Sequence, residues 1–409
     1  MARLRSSMVS VAMLSLPPLL FPCHSAAATP EILYRFIGGE DGSNPAGVIA
    51  GSAGVLYGTT CNGGTSDSGA VYSLTAPQGD SSSPWTKSTL YSFTGTSDGA
   101  CPNALVLGAG GVLYGTTAVA NQTTSQTAFS LTPPQSSGPW MFTLLYNFTL
   151  PSYEGGPIAV ATGPNGVLYL TTRFGGTAEV GSVESLTPPA APPGPWTLTV
   201  LHSFTGHTEF GAFPMSGVIV GPGGELYGTA QSGGLTGCPT CGIVYALFPP
   251  QSPGGNWPFK ILYSFTIEEN EPVGITMGKG GVLYGTLDTG AVFSLTPPAT
   301  PGGAWTEAIL YTFSNTSSND QCYPLLIGPG GVLYGIAALE CCGIIYSLTP
   351  PDNGSTGGWT ETTMYDFANV PFDGGEPGSA LIFGKGGTLF GTTYNGGTSD
   401  LGAIYALKP

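Results

Sequence analysis

One recurring phrase constrains this chain more than any other feature. Gly54-Val55-Leu56-Tyr57-Gly58-Thr59-Thr60 returns, with changes, at Gly111, Gly166, Gly224, Gly281, Gly331 and Gly387, at intervals of roughly 50 to 58 residues. A period of that size means one supersecondary unit used repeatedly, each copy too small to bury its apolar face alone. Each copy holds four strand-length pieces bounded by Gly, Pro, Asn or Ser. The first is a short run after a proline, such as residues 46–50 after Pro45. The Leu-Tyr-Gly-Thr phrase is the second. Ala70-Val71-Tyr72-Ser73-Leu74-Thr75 typifies the third and Leu90-Tyr91-Ser92-Phe93 the fourth. No segment beyond the N-terminus shows helical periodicity. Four short antiparallel strands, repeated seven times, predict an all-β fold: a seven-bladed β-propeller. We letter the strands A to D from the axis outward. The Gly and Ala of the first piece suit the innermost position, where backbones converge.

The two ends support a closed ring. Ile32-Leu33-Tyr34-Arg35-Phe36 reads as a D strand and Ala403-Ile404-Tyr405-Ala406-Leu407 as a C strand. The last blade lacks a D strand and the N-terminus has one spare, so pairing them covers an exposed edge. Trp85, Trp140, Trp196, Trp257, Trp305 and Trp359 each precede a D strand, and the seventh D strand has none. With no linker in between, residues 29–409 are expected to be one domain. Residues 1–28 read as a secretory signal: Arg3 and Arg5, an apolar run from Met8 to Phe21, then Ser25-Ala26-Ala27-Ala28. That run is short for a bilayer and is interrupted by Pro17-Pro18, and no later segment is a transmembrane candidate. Cys23 follows Pro22, a poor context for lipid attachment. The expected location is secreted or extracellular, with the periplasm as the alternative.

The phrase 54–60, followed by Asn62-Gly63-Gly64-Thr65 and Gly69-Ala70-Val71-Tyr72, resembles the GloVer tandem repeat of secreted bacterial proteins. The last copy, from Gly391 through Asn395-Gly396-Gly397-Thr398, carries the same resemblance, which covers nearly all of residues 29–409. The resemblance implies a repeat type and transfers no catalytic residue. Many members of that family end in a surface anchor. Because this chain stops at Pro409, release is the simpler expectation. Blades 2, 5 and 6 lack the Gly-Gly pair, which argues against one identical site per blade.

In a four-stranded meander the D–A and B–C loops emerge on one face. Most of the acids fall there, among them Glu40, Asp41, Asp98, Glu154, Glu209, Glu269, Asp320 and Asp373, and Arg173 is the one base beside them. The full chain has a formal net charge of −15, and loss of Arg3 and Arg5 with the signal makes it more acidic. Such a surface excludes nucleic acid and anionic lipid as natural partners and suits a cationic partner or a neutral one. Rings join the acids on this face: Tyr153, Phe174, Phe210, Phe213, Tyr323, Phe372 and Tyr394. Rings stack on sugars and carboxylates accept hydroxyl hydrogen bonds, so a polysaccharide is the first ligand class. Packing beneath their own loops is the competing reading for each ring. We take Glu40, Asp41, Asp98, Glu154, Glu209, Glu269, Asp320, Asp373, Tyr153, Phe210, Tyr323 and Phe372 as ligand-binding candidates.

The leading expectation is therefore a non-enzymatic binding or surface-interaction protein, expected as a monomer. A polysaccharide-degrading hydrolase or lyase using carboxylates on the same face is the alternative. Gly95-Thr96-Ser97-Asp98-Gly99 matches a serine-hydrolase elbow by letters but lacks the strand-to-helix turn, so no catalytic residue is assigned. Calcium is an open alternative for the loop acids, although no Asp-x-Asp-x-Asp-Gly loop occurs. No other cofactor motif is present. Cys61, Cys101, Cys238, Cys241, Cys322, Cys341 and Cys342 all lie in the same loops. An exported chain favours disulfides, with Cys61 to Cys101, Cys238 to Cys241, and Cys322 to Cys341 or Cys342 as the pairings. A zinc site or a redox Cys-Pro-Thr-Cys remains the alternative.

Overall fold

The computed structural model describes residues 29–409 except 78–82, 119–124, 150–155, 192, 207–210, 235–237, 239–240, 253, 267–270, 301, 315–322, 338–342, 353–357 and 368–374. Residues 1–28, read above as the signal, lie outside the described residues. Seven antiparallel sheets follow one another along the chain. Blade 1 runs Ser43–Ala50, Val55–Asn62, Ala70–Thr75 and Thr86–Ser92 as strands A to D. Blade 7 takes strands B and C from Leu389–Asn395 and Ala403–Leu407, and strand D from Glu31–Arg35 at the other end of the chain. Glu31 lies opposite Ala406 and Arg35 opposite Ala403, so the N-terminal strand closes the ring. Strand A is less regular than the repeat implies. It shrinks to Ile219–Val220 in blade 4 and Leu326–Ile327 in blade 6, and divides into Gly375–Pro377 and Ile382–Phe383 in blade 7. Proline and glycine at its start remove ladder donors and side-chain packing.

What holds the ring is a set of contacts that recurs, with exceptions, from seam to seam. A strand-D phenylalanine meets a strand-C ring of the next blade in Phe36–Tyr72, Phe93–Phe129, Phe204–Tyr245, Phe265–Phe293, Phe313–Tyr346 and Phe367–Tyr405, with centroids 4.6–5.4 Å apart. Each such pair adds about 0.5–1.5 kcal/mol to the burial of its rings. The glycine of Leu-Tyr-Gly-Thr makes room for them: Gly58 lies opposite Tyr72, and a Cβ there would meet the Tyr72 Oη at 2.3 Å. Outside these rings, Trp140, Trp196, Trp257, Trp305 and Trp359 pack edge-on against Tyr57, Tyr114, Tyr169, Tyr227 and Tyr284 of the preceding blade, and Trp85 against Phe390. Strand D of blade 7 has no tryptophan, and Tyr334 meets Phe383 instead.

A third contact ties the strand ends that carry the D–A and B–C loops. Gly69 and Gly402 enter strand C at φ of +90° and +94°, and a Cβ would strike Pro102 and Pro45 of the next blade at 2.6 and 2.5 Å. The proline that opens strand A thus seats against a residue that has to be glycine. The seam between blades 7 and 1 also holds a partly buried ion pair, Lys87 Nζ to Asp41 Oδ1 at 3.0 Å. The ammonium lies 5.6–5.9 Å from the ring centroids of Tyr34, Phe36 and Tyr72.

Candidate functional site

Hydrogen bonds place the D–A and B–C loops on one face. Gly64 N, in a B–C loop, donates to Gly39 O in a D–A loop at 3.0 Å. Cys101 N donates to Ser68 O, Phe213 N to Val180 O and Asn44 N to Leu401 O, each time linking the start of strand A to the B–C loop of the blade before. On that face, Cys61 is joined to Cys101 between blades 1 and 2, and Cys238 to Cys241 within blade 4. Cys322, Cys341 and Cys342 lie outside the described residues.

The described candidate acids divide by their partners. Asp41 accepts the Tyr34 hydroxyl at 2.6 Å, the Ile37 N–H at 3.0 Å and Lys87. Asp98, one blade on, accepts the Tyr91 hydroxyl at 3.0 Å, the Thr94 N–H at 2.8 Å and the Thr94 hydroxyl at 2.6 Å. Both carboxylates therefore shape their own D–A loops. Burial alone would raise the Asp98 carboxyl, but the Thr94, Tyr91 and Thr96 hydrogen bonds outweigh it and hold the group below its ordinary value. Glu40 is exposed. Tyr323 is partly buried, its hydroxyl donates to Pro377 O at 2.8 Å, and burial with the nearby Glu376 charge pushes that hydroxyl up to about 12. Glu154, Glu209, Glu269, Asp320, Asp373, Tyr153, Phe210 and Phe372 lie outside the described residues. Among the described residues no group of three or more His, Cys, Asp or Glu could hold a metal ion, calcium included.

A different set of residues comes together at the inner rim of this face. Two positions of the repeat meet there among the described residues: the residue after the strand-B phrase and the residue before the strand-A proline. One blade's first position abuts the next blade's second. Cys61 and Cys101 fill them between blades 1 and 2. Between blades 7 and 1, Asn44 Nδ2 donates to Tyr394 O at 3.4 Å, and Tyr394 is 47% exposed. Across blades 3 to 5 they hold Arg173, Phe213, Gln231, Glu271 and Asp288 as a continuous line. Arg173 Nη2 donates to Gln231 Oε1 at 3.4 Å, Gln231 Nε2 donates to Glu271 Oε2, and Glu271 N donates to Asp288 Oδ1 at 3.1 Å. The Arg173 guanidinium lies 5.5 Å from the Phe174 ring, which meets Phe213 edge-on at 5.5 Å.

Burial raises both carboxyls of this line above their ordinary values. At Glu271 the Gln231 amide opposes that effect, the Asp288 charge adds to it and the Arg173 charge opposes it. At Asp288 backbone N–H groups of Glu271, Thr289 and Asp288 itself oppose it. The line thus presents a cation, two carboxyls raised by burial and a ring pair within one sector. It can accept from and donate to a polyhydroxylated ligand while a ring covers an apolar face.

Glu271, Asp288 and Arg173 were visible in the sequence as loop residues, yet nothing ranked them above the other acids. The available signal is internal. Strand positions repeat from blade to blade, whereas the residue after the strand-B phrase reads Cys61, Ala118, Arg173, Gln231, Asp288, Ala338 and Tyr394. A position that takes six different residues in seven copies is free of the demands of blade packing.

Comparison with known proteins agrees with the fold. A family model described as the Gloeobacter/Verrucomicrobia repeat matches residues 19–191 and 127–340. No curated protein matches the chain. Among solved structures, the chain is similar to the periplasmic gluconolactonase of Pseudomonas aeruginosa at 14% identity and a TM-score of 0.55, covering 86% of this chain and 95% of that one. It is also similar to a protein from Lactobacillus plantarum at 15% identity and a TM-score of 0.55, covering 87% and 99%. At those identities the likeness is one of fold. Among the described residues no helix is long and apolar enough to cross a membrane.

Proposed function

The chain belongs to the Gloeobacter/Verrucomicrobia repeat family, and from that premise we propose that it is an exported, non-enzymatic binding protein whose carbohydrate ligand sits at the rim of blades 3 to 5. The carrying observation is the line Arg173–Gln231–Glu271–Asp288 with the Phe174–Phe213 ring pair beside it. It occupies the positions that vary between blades, on the face where the acids collect. The proposal includes export, with residues 1–28 as the removed signal and 29–409 as the working propeller. Two disulfides suit an oxidising compartment.

A second reading rests on the same carboxyls. Glu271 and Asp288 sit side by side, the Glu271 N–H donating to Asp288 Oδ1 at 3.1 Å, burial raises both, and a raised carboxyl is the better proton donor to a glycosidic leaving group. That reading is a polysaccharide-degrading hydrolase or lyase. One experiment separates the two: incubate the purified protein with a panel of polysaccharides and simple sugars, then examine retained protein and released products by mass spectrometry. Protein held on an intact polymer, and lost with Arg173→Ala, supports the binding module. Oligosaccharides that disappear with Glu271→Gln or Asp288→Asn establish the enzyme. Neither retention nor release refutes both.

A further inference from the structure

Six seams carry the ring pair described above, and the seam between blades 2 and 3 departs from it. Phe148 of blade 2 is buried there as elsewhere, but the strand-C position facing it in the repeat is Glu184. The exchange is compensated within blade 3. Where the other blades set glycine opposite a ring, as in Gly228 opposite Tyr245, blade 3 sets Leu170 opposite Glu184. Leu170 is fully buried and Glu184 is 7% exposed. Strand C, Ala-Val-Tyr-Ser-Leu-Thr in blade 1, reads Ser182-Val183-Glu184-Ser185-Leu186-Thr187 here.

The carboxyl is half satisfied. The Ser182 hydroxyl donates to Glu184 Oε1 at 2.9 Å, and Ser182 is tied in turn to Thr172 by a 2.7 Å hydroxyl contact. Glu184 Oε2 is buried with no hydrogen-bond partner among the described residues. An unpaired buried oxygen is tolerated far better on a neutral acid than on a carboxylate. We propose that Glu184 is a proton-operated latch on the seam between blades 2 and 3: as the neutral acid it packs where the other blades carry a ring, and on losing its proton to solvent it weakens that seam.

The surroundings agree. The titratable groups on the neighbouring elements are Tyr169 on strand B, His202 on strand D, Tyr114 and Tyr146 on blade 2, and Arg173 just past strand B. Strand A of blade 3 (Pro157–Thr162) and strand C of blade 2 (Ser125–Thr132) carry none. Burial, the larger influence, raises the Glu184 carboxyl, and the Ser182 hydroxyl works against it. A raised carboxyl means that the folded chain holds more protons than the unfolded one. Its contribution is full below the ordinary glutamate value of 4.5 and is lost as pH rises through the higher folded value.

The test compares thermal unfolding from pH 4 to pH 8 for the wild type, Glu184→Gln, and the double variant Leu170→Gly with Glu184→Tyr, which restores the glycine–ring pair of the other blades. Wild type and Glu184→Gln should melt together at pH 4 and separate as pH rises, with the wild type falling several degrees below. The double variant should follow Glu184→Gln. A gap that stays constant with pH overturns the latch. Should a variant fail to fold, amide exchange on the wild type decides. After correction for chemical exchange, Leu168–Thr172 and Ser182–Thr187 should lose about tenfold in protection between pH 5 and pH 8 relative to Leu226–Ala230 and Ile243–Leu247. Equal changes in both pairs of strands overturn it as well.

Discussion

The rim from blade 7 to blade 2 and the rim from blade 3 to blade 5 use the same two positions per blade for opposite ends. On the first side they sew the ring together, with Cys61 bound to Cys101 and Asn44 held to Tyr394. On the second they assemble Arg173, Gln231, Glu271 and Asp288, groups with hydrogen-bonding capacity beyond what closure needs. Because strand pairing, the ring pairs and the glycine–proline contacts already fix each blade, rim residues need not serve stability everywhere. One sector is committed to closure and the other is left to chemistry. Variants on the closure side should therefore cost stability and spare binding, and variants in the other sector should do the reverse.

The largest effect should come from Lys87→Met. It leaves the partly buried Asp41 carboxylate at the closing seam without its cation and should cost about 3 kcal/mol, the low end for breaking a buried pair. Chemical denaturation would measure it. Next, Cys61→Ala with Cys101→Ala removes a link across 40 residues and should cost about 2–4 kcal/mol. The same loss should appear in the wild type on adding a reductant, with polysaccharide retention unchanged. Asp98→Asn should cost about 1–2 kcal/mol through weakened loop hydrogen bonds. Its sign with pH is fixed: the folded Asp98 carboxyl lies below its ordinary value of 3.8, so the difference from wild type is present above that value and vanishes as pH falls through the folded one. The smallest stability effect, under about 1 kcal/mol, is expected for Arg173→Ala, which loses a long hydrogen bond at 3.4 Å and a partly exposed contact with the Phe174 ring. The comparison breaks if Arg173→Ala destabilises as much as Lys87→Met.

Blade number, strand order, ring closure and the placement of loops on one face were all legible, because repetition turns weak local signals into a phase. Tyr57-Gly58 alone says little, but five exact copies, with Tyr169-Leu170 and Phe390-Gly391 at the remaining two places, locate every strand B. The Cys61–Cys101 pairing followed from the same phase, since it makes their loops neighbours. The candidate site was harder to read. Asp41 and Asp98 look like ligand groups in sequence, and their hydrogen bonds to Tyr34 and Tyr91 depend on how a D–A loop folds back on its own strand. Arg173, Gln231 and Glu271 come from three successive blades, and no local pattern joins them. Glu184 was hidden among the acids, although its exchange with Leu170 against the repeat is written in the strands themselves.

The central claim is that ligand recognition belongs to the rim of blades 3 to 5 and not to the closing sector. The most direct measurement is retention on a polysaccharide panel by the wild type, Arg173→Ala, Glu271→Gln and the Cys61→Ala/Cys101→Ala double variant, each confirmed folded. The account predicts at least tenfold weaker retention for Arg173→Ala and Glu271→Gln (about 1.4 kcal/mol or more) with wild-type retention for the cysteine variant. Equal retention by all four, or a loss confined to the cysteine variant, would contradict it.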